Sequence, residues 1–159
     1  MPVVMYPGSF DPLTNGHLNL IERGLRIYGQ LIVAVAHNHR KAPLFTPAER
    51  MDMIRAALPP NSPVEVVTFE GLLVDYARKR QAQVILRGLR AVSDFEFEFQ
   101  LAHLNRRLGT GLETVFMMTG EEHFYVSSHM VREVASFGGT VTGLVPPPIE
   151  RRLKEKFAK

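Results

Sequence analysis

Residues 6–17 read YPGSFDPLTNGH and are the most informative stretch of the chain. It follows an apolar run at residues 3–5 and leads into an amphipathic helix predicted over residues 16–28. A strand, a tight glycine-containing turn and a helix N-terminus together form a phosphate cradle, because free N–H groups and the positive end of the helix dipole face the loop. Ser9 and Phe10 lie in the loop and His17 in the first helical turn, which suggests a nucleotide-handling protein.

Apolar runs alternate with helical patterns along the chain. Five runs are apolar or β-branched almost throughout, which predicts parallel strands covered on both faces, at residues 3–5, 31–36, 64–69, 84–86 and 114–118. Six helical patterns lie between and after these runs. Four of them cover residues 16–28, 72–80, 93–108 and 148–157. Another begins at a capping box at residues 46–49 and ends at a proline pair at 59–60, and one more begins at about residue 127. This order predicts an α/β fold: a single doubly wound, Rossmann-like domain over residues 1–159 with a five-stranded parallel sheet.

Residues 93–108 are the ambiguous segment. FEFEF at residues 95–99 alternates like a strand, but apolar residues at helical spacing continue towards Leu108. Ser93 and Glu96 also form a capping box, so we favour a helix.

Composition excludes several classes of protein. The chain has no cysteine, so it has no disulfide, thiolate metal site or cysteine nucleophile. Its apolar runs are too short for membrane spans and its start lacks the basic residues of a signal peptide, so we expect a cytoplasmic protein without a membrane partner. A net charge of +3 suits an enzyme with phosphorylated substrates as well as a weak nucleic-acid binder.

Basic side chains follow two of the predicted strands, at the edge where such sheets bind ligands. Lys41 comes after the second strand, and its flexible ammonium can reach a phosphate. Arg87 and Arg90 flank Gly88 after the fourth strand and can bind phosphoryl oxygens in bidentate fashion. Two surface arginines are the plain alternative, and their place directly after an apolar strand argues against it.

Two other polar groups have weaker functional interpretations. His37 and His39 could bind a metal, but no third ligand is evident nearby, so we favour a polar surface loop and predict no metal ligands in the protein. Asp94 and Glu98 share a helix face and could perform acid–base chemistry, although a solvated face is at least as reasonable.

The start of the fifth helix is a second predicted anion site. Ser127 fits the N-cap position. Ser128 and the free backbone N–H groups would then face an anion. The pattern argues against a serine–histidine hydrolase, because Ser128 and His129 are adjacent on a helix and do not face each other.

Several segments together resemble the bacterial phosphopantetheine adenylyltransferase family, in its order and spacing. They are YPGSFDPLTNGH at residues 6–17, FTPAER at 45–50, RGLRAVSDFE at 87–96 with its continuation through QLAHLNR towards residue 108, and VSS at 126–128. The wider nucleotidyltransferase superfamily has a His-x-Gly-His signature, and TNGH at residues 14–17 occupies it.

The resemblance implies a reaction and its partners. ATP and 4′-phosphopantetheine would give dephospho-coenzyme A and pyrophosphate with Mg²⁺, by in-line attack on the α-phosphorus and without a covalent enzyme intermediate. Members of the family are typically hexamers built as dimers of trimers, and coenzyme A inhibits them. Catalysis would then consist of positioning and electrostatic stabilisation of the transition state.

The resemblance also implies site residues. The catalytic set is His17, Lys41 and Arg90, with His17 at the α-phosphate. The acceptor would be held by Ser9, Lys41, Leu73 and Arg87. ATP would be held by Ser9, Phe10, His17, Gly88, Leu89, Arg90, Glu98, His123, Phe124, Tyr125, Val126, Ser127, Ser128 and His129.

Two positions depart from the family pattern. His129 replaces the third serine of an Ile-Ser-Ser-Ser signature, and an imidazole there would make a phosphate contact pH-sensitive near neutrality. Phe124 stands where serine is common. These departures place more weight on Ser128 and the local backbone than on either side chain.

Three alternatives stay open at this point. One is a related nucleotidyltransferase with another phosphorylated acceptor, such as a cytidylyltransferase. Another is a non-catalytic nucleotide- or RNA-binding module, although no aromatic-plus-basic stacking platform favours a nucleic-acid partner. The third is an acid–base enzyme using Asp94 and Glu98, which would leave His17 and the two arginines without a purpose.

Overall fold

The computed structural model describes residues 1–109 and 111–158, apart from the side chains of residues 92 and 93. It confirms the predicted α/β fold, with all five strands parallel in one sheet of order β3-β2-β1-β4-β5. In chain order the elements are β1 (Val4–Gly8), α1 (Asn15–Tyr28), β2 (Leu31–Ala36), α2 (Pro47–Ala57), β3 (Val64–Phe69), α3 (Leu73–Lys79), β4 (Val84–Leu89), α4 (Val92–Leu108), β5 (Glu113–Met118), α5 (Ser128–Ser136) and α6 (Pro147–Phe157).

Both faces of the sheet are buried, which is why its strands are apolar almost throughout. On one face, Val4 and Val33 pack in a cluster with residues of α1, α2, α5 and α6. On the other face, Met5 and Ile85 pack with α3. Within the described residues, none of the helices combines the length and apolar character that crossing a membrane requires.

The sheet order reverses at β1, and this reversal positions the site. The chain winds outward from β1 through β2 to β3 and then returns to add β4 and β5 on the other side. β1 pairs with β2 as far as Gly8, but it pairs with β4 at Val4 and Met5. A crevice at the carboxyl ends of β1 and β4 follows, and ligands of open α/β sheets bind at such a reversal.

Two strands continue at their carboxyl ends beyond the predicted apolar runs. β1 continues to Gly8 and β4 to Leu89, rather than ending at residues 5 and 86. Pro7 and Gly8 align with β2, while Arg87 to Leu89 align with β5. The phosphate-binding residues predicted in loops at Arg87, Gly88 and Leu89 are therefore strand residues, because backbone pairing continues past the last apolar side chain.

The segments predicted as helical are helical in the structure, and one helix has a different N-cap residue from the predicted one. Residues 93–108 are helical, as the longer apolar pattern indicated. α4 begins at Val92 with Ala91 at the N-cap position, so the N-cap predicted at Ser93 is wrong; the side chain of Ser93, on which the predicted capping box depends, lies outside the described residues. The box at Thr46 and Glu49 and the N-cap at Ser127 are confirmed.

Candidate functional site

A pocket fills the crevice between β1 and β4. Its walls are the end of β1 with the following loop, the first turns of α1, the end of β4 with the start of α4, and the segment before α5. Of the predicted site residues it brings together Ser9, Phe10, His17, Arg87, Gly88, Arg90, Glu98, His123, Val126, Ser127 and Ser128.

The orientation of His17 is set by its own helix cap. Thr14 is the N-cap of α1, and its side chain accepts a hydrogen bond from the backbone N–H of His17. The backbone N–H of Thr14 donates in return to Nδ1 of the imidazole, over 3.0 Å. Because Nδ1 accepts this bond, the proton of the neutral ring is assigned to Nε2.

His17 is neutral at physiological pH. Burial, with the added repulsion of Arg90 and then Arg87, lowers its pKa from 6.5 to about 4. A neutral ring with its proton on Nε2 is a directed hydrogen-bond donor and carries no full positive charge. His17 can therefore donate to a phosphoryl oxygen in the pocket.

The aromatic ring of Phe10 supports the imidazole. Phe10 is buried, and its ring packs edge-on against His17, with the centroids 5.0 Å apart. Its backbone has φ of 49°, an uncommon conformation for a side chain of this size. At Gly8, an added Cβ would lie 3.0 Å from the Phe10 ring, so a side chain at this position would require the ring to shift by a few tenths of an ångström. Phe10 thus lines the pocket and holds its loop against His17.

A buried arginine from outside the pocket fixes the same loop. Arg50 on α2 is only 2% exposed, and Nη1 donates to the carbonyls of Ser9, over 2.8 Å, and Ala36, over 3.1 Å. Its Nε donates to the carbonyl of Phe45 over 3.1 Å. Such charge-assisted bonds tie the first loop to the end of β2.

The buried carboxylate of Asp11 anchors the other half of the loop. It accepts hydrogen bonds from the backbone N–H groups of Leu44 and Phe45, over 2.9 and 3.0 Å. Arg132 on α5 donates to the backbone carbonyl of Asp11. The loop that carries Ser9 and Phe10 is therefore held from both sides, and ligand binding need not order it.

Arg87 is clamped by Glu98. Its Nε and Nη2 donate to the two carboxylate oxygens over 2.9 and 2.5 Å, and its Nη1 donates to the carbonyl of Pro7 over 3.1 Å. Burial works against the charge of Arg87, but the hydrogen bonds and negative charge of Glu98 outweigh it and raise the pKa of the guanidinium. Burial also raises the pKa of Tyr6, so its phenol stays neutral.

Arg90 links β4 to the segment before α5. Its Nε donates to Asp94 over 3.2 Å and its Nη1 to the carbonyl of Val126 over 3.3 Å. The carboxylates of Asp94 and Glu98 are thus each paired with a different arginine. This pairing disfavours the acid–base alternative, since both carboxylates are engaged in positioning the cations.

The start of α5 differs from expectation in one contact. The Ser128 hydroxyl donates to the carbonyl of Pro12 over 2.7 Å, so its hydrogen holds the first loop in place. Ser127 accepts from the backbone N–H of Met130 as the N-cap. The donors that remain for an anion here are the first backbone N–H groups of α5.

Six predicted site residues lie outside the residues that line this pocket. Lys41 is exposed in the turn after β2, Leu73 begins α3, and Leu89 ends β4. The exposed side chains before and at the start of α5 complete this set: Phe124, Tyr125 and His129. Their roles stay predictions.

Other lining residues were not singled out from the sequence. They include Tyr6, Gly16, Leu20 and Thr119. Thr14 also lines the pocket, and its N-cap position three residues before His17 was a readable signal. Nothing in the local hydrophobic pattern marks Arg50 as a support of the first loop, because the carbonyls of Ser9 and Ala36 that it contacts lie on other segments of the chain.

Comparisons with known proteins agree in family. A family model described as cytidylyltransferase-like matches residues 5–134. A phosphopantetheine adenylyltransferase of Anaeromyxobacter dehalogenans (strain 2CP-C) is 57% identical over 155 residues, which cover 98% of this chain and 94% of that protein. One of Carboxydothermus hydrogenoformans (strain ATCC BAA-161 / DSM 6008 / Z-2901) is 52% identical over 159 residues, covering 100% of this chain and 98% of that protein.

A solved structure supports the fold alone. The crystal structure of the lipopolysaccharide core biosynthesis protein from Thermoplasma volcanium GSS1 superposes with a TM-score of 0.57 at 22% identity. The match covers 76% of this chain and 99% of that one. At this identity the likeness extends to the architecture and not to the chemistry.

Proposed function

Since this chain belongs to the cytidylyltransferase-like family, and within it to the bacterial phosphopantetheine adenylyltransferases, we propose that it makes dephospho-coenzyme A. It transfers the adenylyl group of ATP to 4′-phosphopantetheine and releases pyrophosphate, a step of coenzyme A biosynthesis. Relatives over 50% identical along nearly the whole chain support this activity.

The position of His17 in the crevice, with Nδ1 engaged by the backbone N–H of Thr14, is the observation that supports the mechanism. An oxygen of the acceptor phosphate attacks the α-phosphorus of ATP in line, and the bond from that phosphorus to the pyrophosphate oxygen breaks. The Nε2 proton of His17 is placed to donate to a non-bridging α-phosphate oxygen, where charge develops. The pocket supplies donors and cations, so the transfer needs no covalent enzyme intermediate.

The two substrates divide the pocket between them. ATP lies along Arg90, His123 and the N-terminus of α5, with its α-phosphate near His17. The acceptor phosphate lies towards Arg87, which Glu98 holds in place. Lys41 and Leu73 approach the acceptor from the neighbouring strand ends.

Magnesium enters this scheme with the nucleotide. Mg²⁺ prefers carboxylate, phosphate and water oxygens. Among the described lining residues the carboxylates are Asp94 and Glu98, and each is paired with an arginine. The residues therefore do not form a resident magnesium site, and MgATP is the substrate. Chelation by EDTA should stop pyrophosphate release and leave the circular dichroism spectrum unchanged.

Pyrophosphate release from MgATP tests the proposed function. The assay is run with and without 4′-phosphopantetheine, and the nucleotide product is identified by mass spectrometry. We expect release only with this acceptor, with dephospho-coenzyme A as product. Release with another phosphorylated acceptor would indicate a related nucleotidyltransferase. Nucleotide binding without release under any of these conditions would indicate a binding module.

We further propose that the chain assembles as a homohexamer. α4 exposes large apolar side chains, with Phe97 64% and Leu104 52% exposed, and Met118 at the edge strand β5 is 77% exposed. Such a surface favours contact with another copy of the chain. Light scattering coupled to size exclusion should give six chains of 17.9 kDa. Phe97→Glu should give a smaller species, whereas Arg151→Glu, on α6, should not.

Regulation and location complete the proposal. Coenzyme A carries the same pantetheine arm as the acceptor, so we expect it to inhibit in competition with 4′-phosphopantetheine. The use of ATP supports a cytoplasmic location. Initial rates measured with added coenzyme A at several acceptor concentrations test the inhibition, and unchanged rates would contradict it.

A further inference from the structure

The paired ends of β2 and β3 bring a histidine and a glutamate together, away from the nucleotide pocket. The register of these strands ends with Ala36 opposite Phe69. The backbone N–H of His37 then donates to the carbonyl of Phe69 over 2.9 Å, which extends the pairing by one step. His37 and Glu70 therefore leave the sheet side by side, although 33 positions separate them in sequence.

A turn folds His39 back onto His37. The side-chain oxygen of Asn38 accepts a hydrogen bond from the backbone N–H of Arg40 over 3.0 Å, and the backbone carbonyl of Asn38 accepts one from the backbone N–H of Lys41 over 3.2 Å. The two imidazoles meet edge-on, with Nε2 of His37 3.0 Å from Nδ1 of His39. Nitrogens that bind one metal at about 2.0–2.1 Å lie about 3 Å apart, so this spacing suits a shared ion.

Glu70 supplies the third ligand that the sequence did not reveal. Its carboxylate lies 3.9 Å from Nε2 of His37 and 3.1 Å from Nε2 of His39, which is the other ring nitrogen from the Nδ1 that faces His37. A shared ion would use only one of the two nitrogens of His39. One ligand atom from each residue can be chosen so that all three lie within 4.8 Å of one another.

We propose that His37, His39 and Glu70 bind one transition-metal dication of the Zn²⁺ class, outside the nucleotide pocket. Two imidazoles and a carboxylate suit Zn²⁺, whereas Mg²⁺ prefers an all-oxygen set. The side chains of His39 and Glu70 are 70% and 63% exposed, so the ion has direct access from solvent and water can complete its coordination. Its binding would hold the turn that ends at Lys41.

The site is tested by zinc binding to the untagged full-length chain, in millimolar Mg²⁺. Competition with a chromophoric chelator gives stoichiometry and affinity. We expect one Zn²⁺ per chain, with affinity lowered by at least about 10–100-fold in His39→Gln and in Glu70→Gln. The matched control is His103→Gln, which removes another exposed histidine, on α4, and should bind as the parent does.

Two further readouts separate the site from a fold defect. Thermal melting of both variants without metal should match that of the parent, because their side chains are largely exposed. On adding Zn²⁺, the imidazole NMR signals of His37 and His39 should shift and those of His103 should not. Absence of stoichiometric binding, displacement of Zn²⁺ by Mg²⁺, or unchanged affinity in His39→Gln would overturn the proposal. None of these measurements depends on adenylyl transfer.

Discussion

The low pKa of His17 predicts a specific loss of stability in mild acid. Its pKa is about 4 in the folded chain against 6.5 as the reference value. Between these values the unfolded chain binds a proton that the folded chain does not, so a falling pH favours unfolding. Above pH 6.5 this contribution is fully present, and it is lost as the pH falls towards 4. From pH 7 to pH 5 the linkage amounts to about 2 kcal/mol.

Urea unfolding at pH 7, 6 and 5 measures this linkage. The parent should lose about 2 kcal/mol more than His17→Gln over that range, because the variant has no imidazole to protonate. His103→Gln is the matched control, and its pH dependence should follow that of the parent. Parallel curves for the parent and His17→Gln would refute the assignment of a neutral His17. All samples are kept at one protein concentration, because association also changes apparent stability.

Three further predictions concern the groups that hold the pocket. Arg50→Met roughly keeps the side-chain volume but leaves the carbonyls of Ser9 and Phe45 without their donor, so the free energy of unfolding should fall by about 3 kcal/mol. The control Arg151→Met should lower it by only a few tenths of a kcal/mol. Equal urea midpoints for the two variants would contradict this prediction. Glu98→Gln should raise the acceptor Kd about tenfold, because Arg87 loses the carboxylate that holds it in place, and should leave the ATP Kd unchanged. Both constants are measured by calorimetry. The opposite pattern would make Glu98 an ATP contact. Arg87→Ala should likewise weaken acceptor binding, and an unchanged acceptor Kd would count against that role.

The strands could be predicted because each one has an apolar pattern that is visible in its own local sequence. β2 and β3 have the predicted bounds. β2 is an unbroken apolar run, while β3 is mostly β-branched, with Val66 and Phe69 buried. β1 and β4 were predicted too short, because Pro7-Gly8 and Arg87-Gly88 continue the pairing without apolar side chains. The helical character of residues 93–108 was also readable, because its apolar spacing extends well beyond the five alternating residues.

The supports of the site were not predictable, because they depend on contacts far apart in sequence. Arg50 donates to the carbonyl of Ser9, 41 positions away, and nothing near Arg50 in sequence marks it as buried. The Ser128 hydroxyl donates a hydrogen bond to the carbonyl of Pro12, 116 positions away in sequence. Local sequence patterns indicate which residues lie at the edge of the sheet. Which of these residues form hydrogen bonds with one another depends on the packing of the whole fold.

In the proposed mechanism, His17 acts on the transition state and not on bound ATP. The decisive measurement compares His17→Ala with the parent for both turnover and ATP Kd. Removing one preorganised donor should lower turnover by about 10²–10³-fold, with the ATP Kd within about threefold of the parent value. A loss of ATP affinity as large as the loss of turnover would contradict the claim and make His17 a ground-state contact.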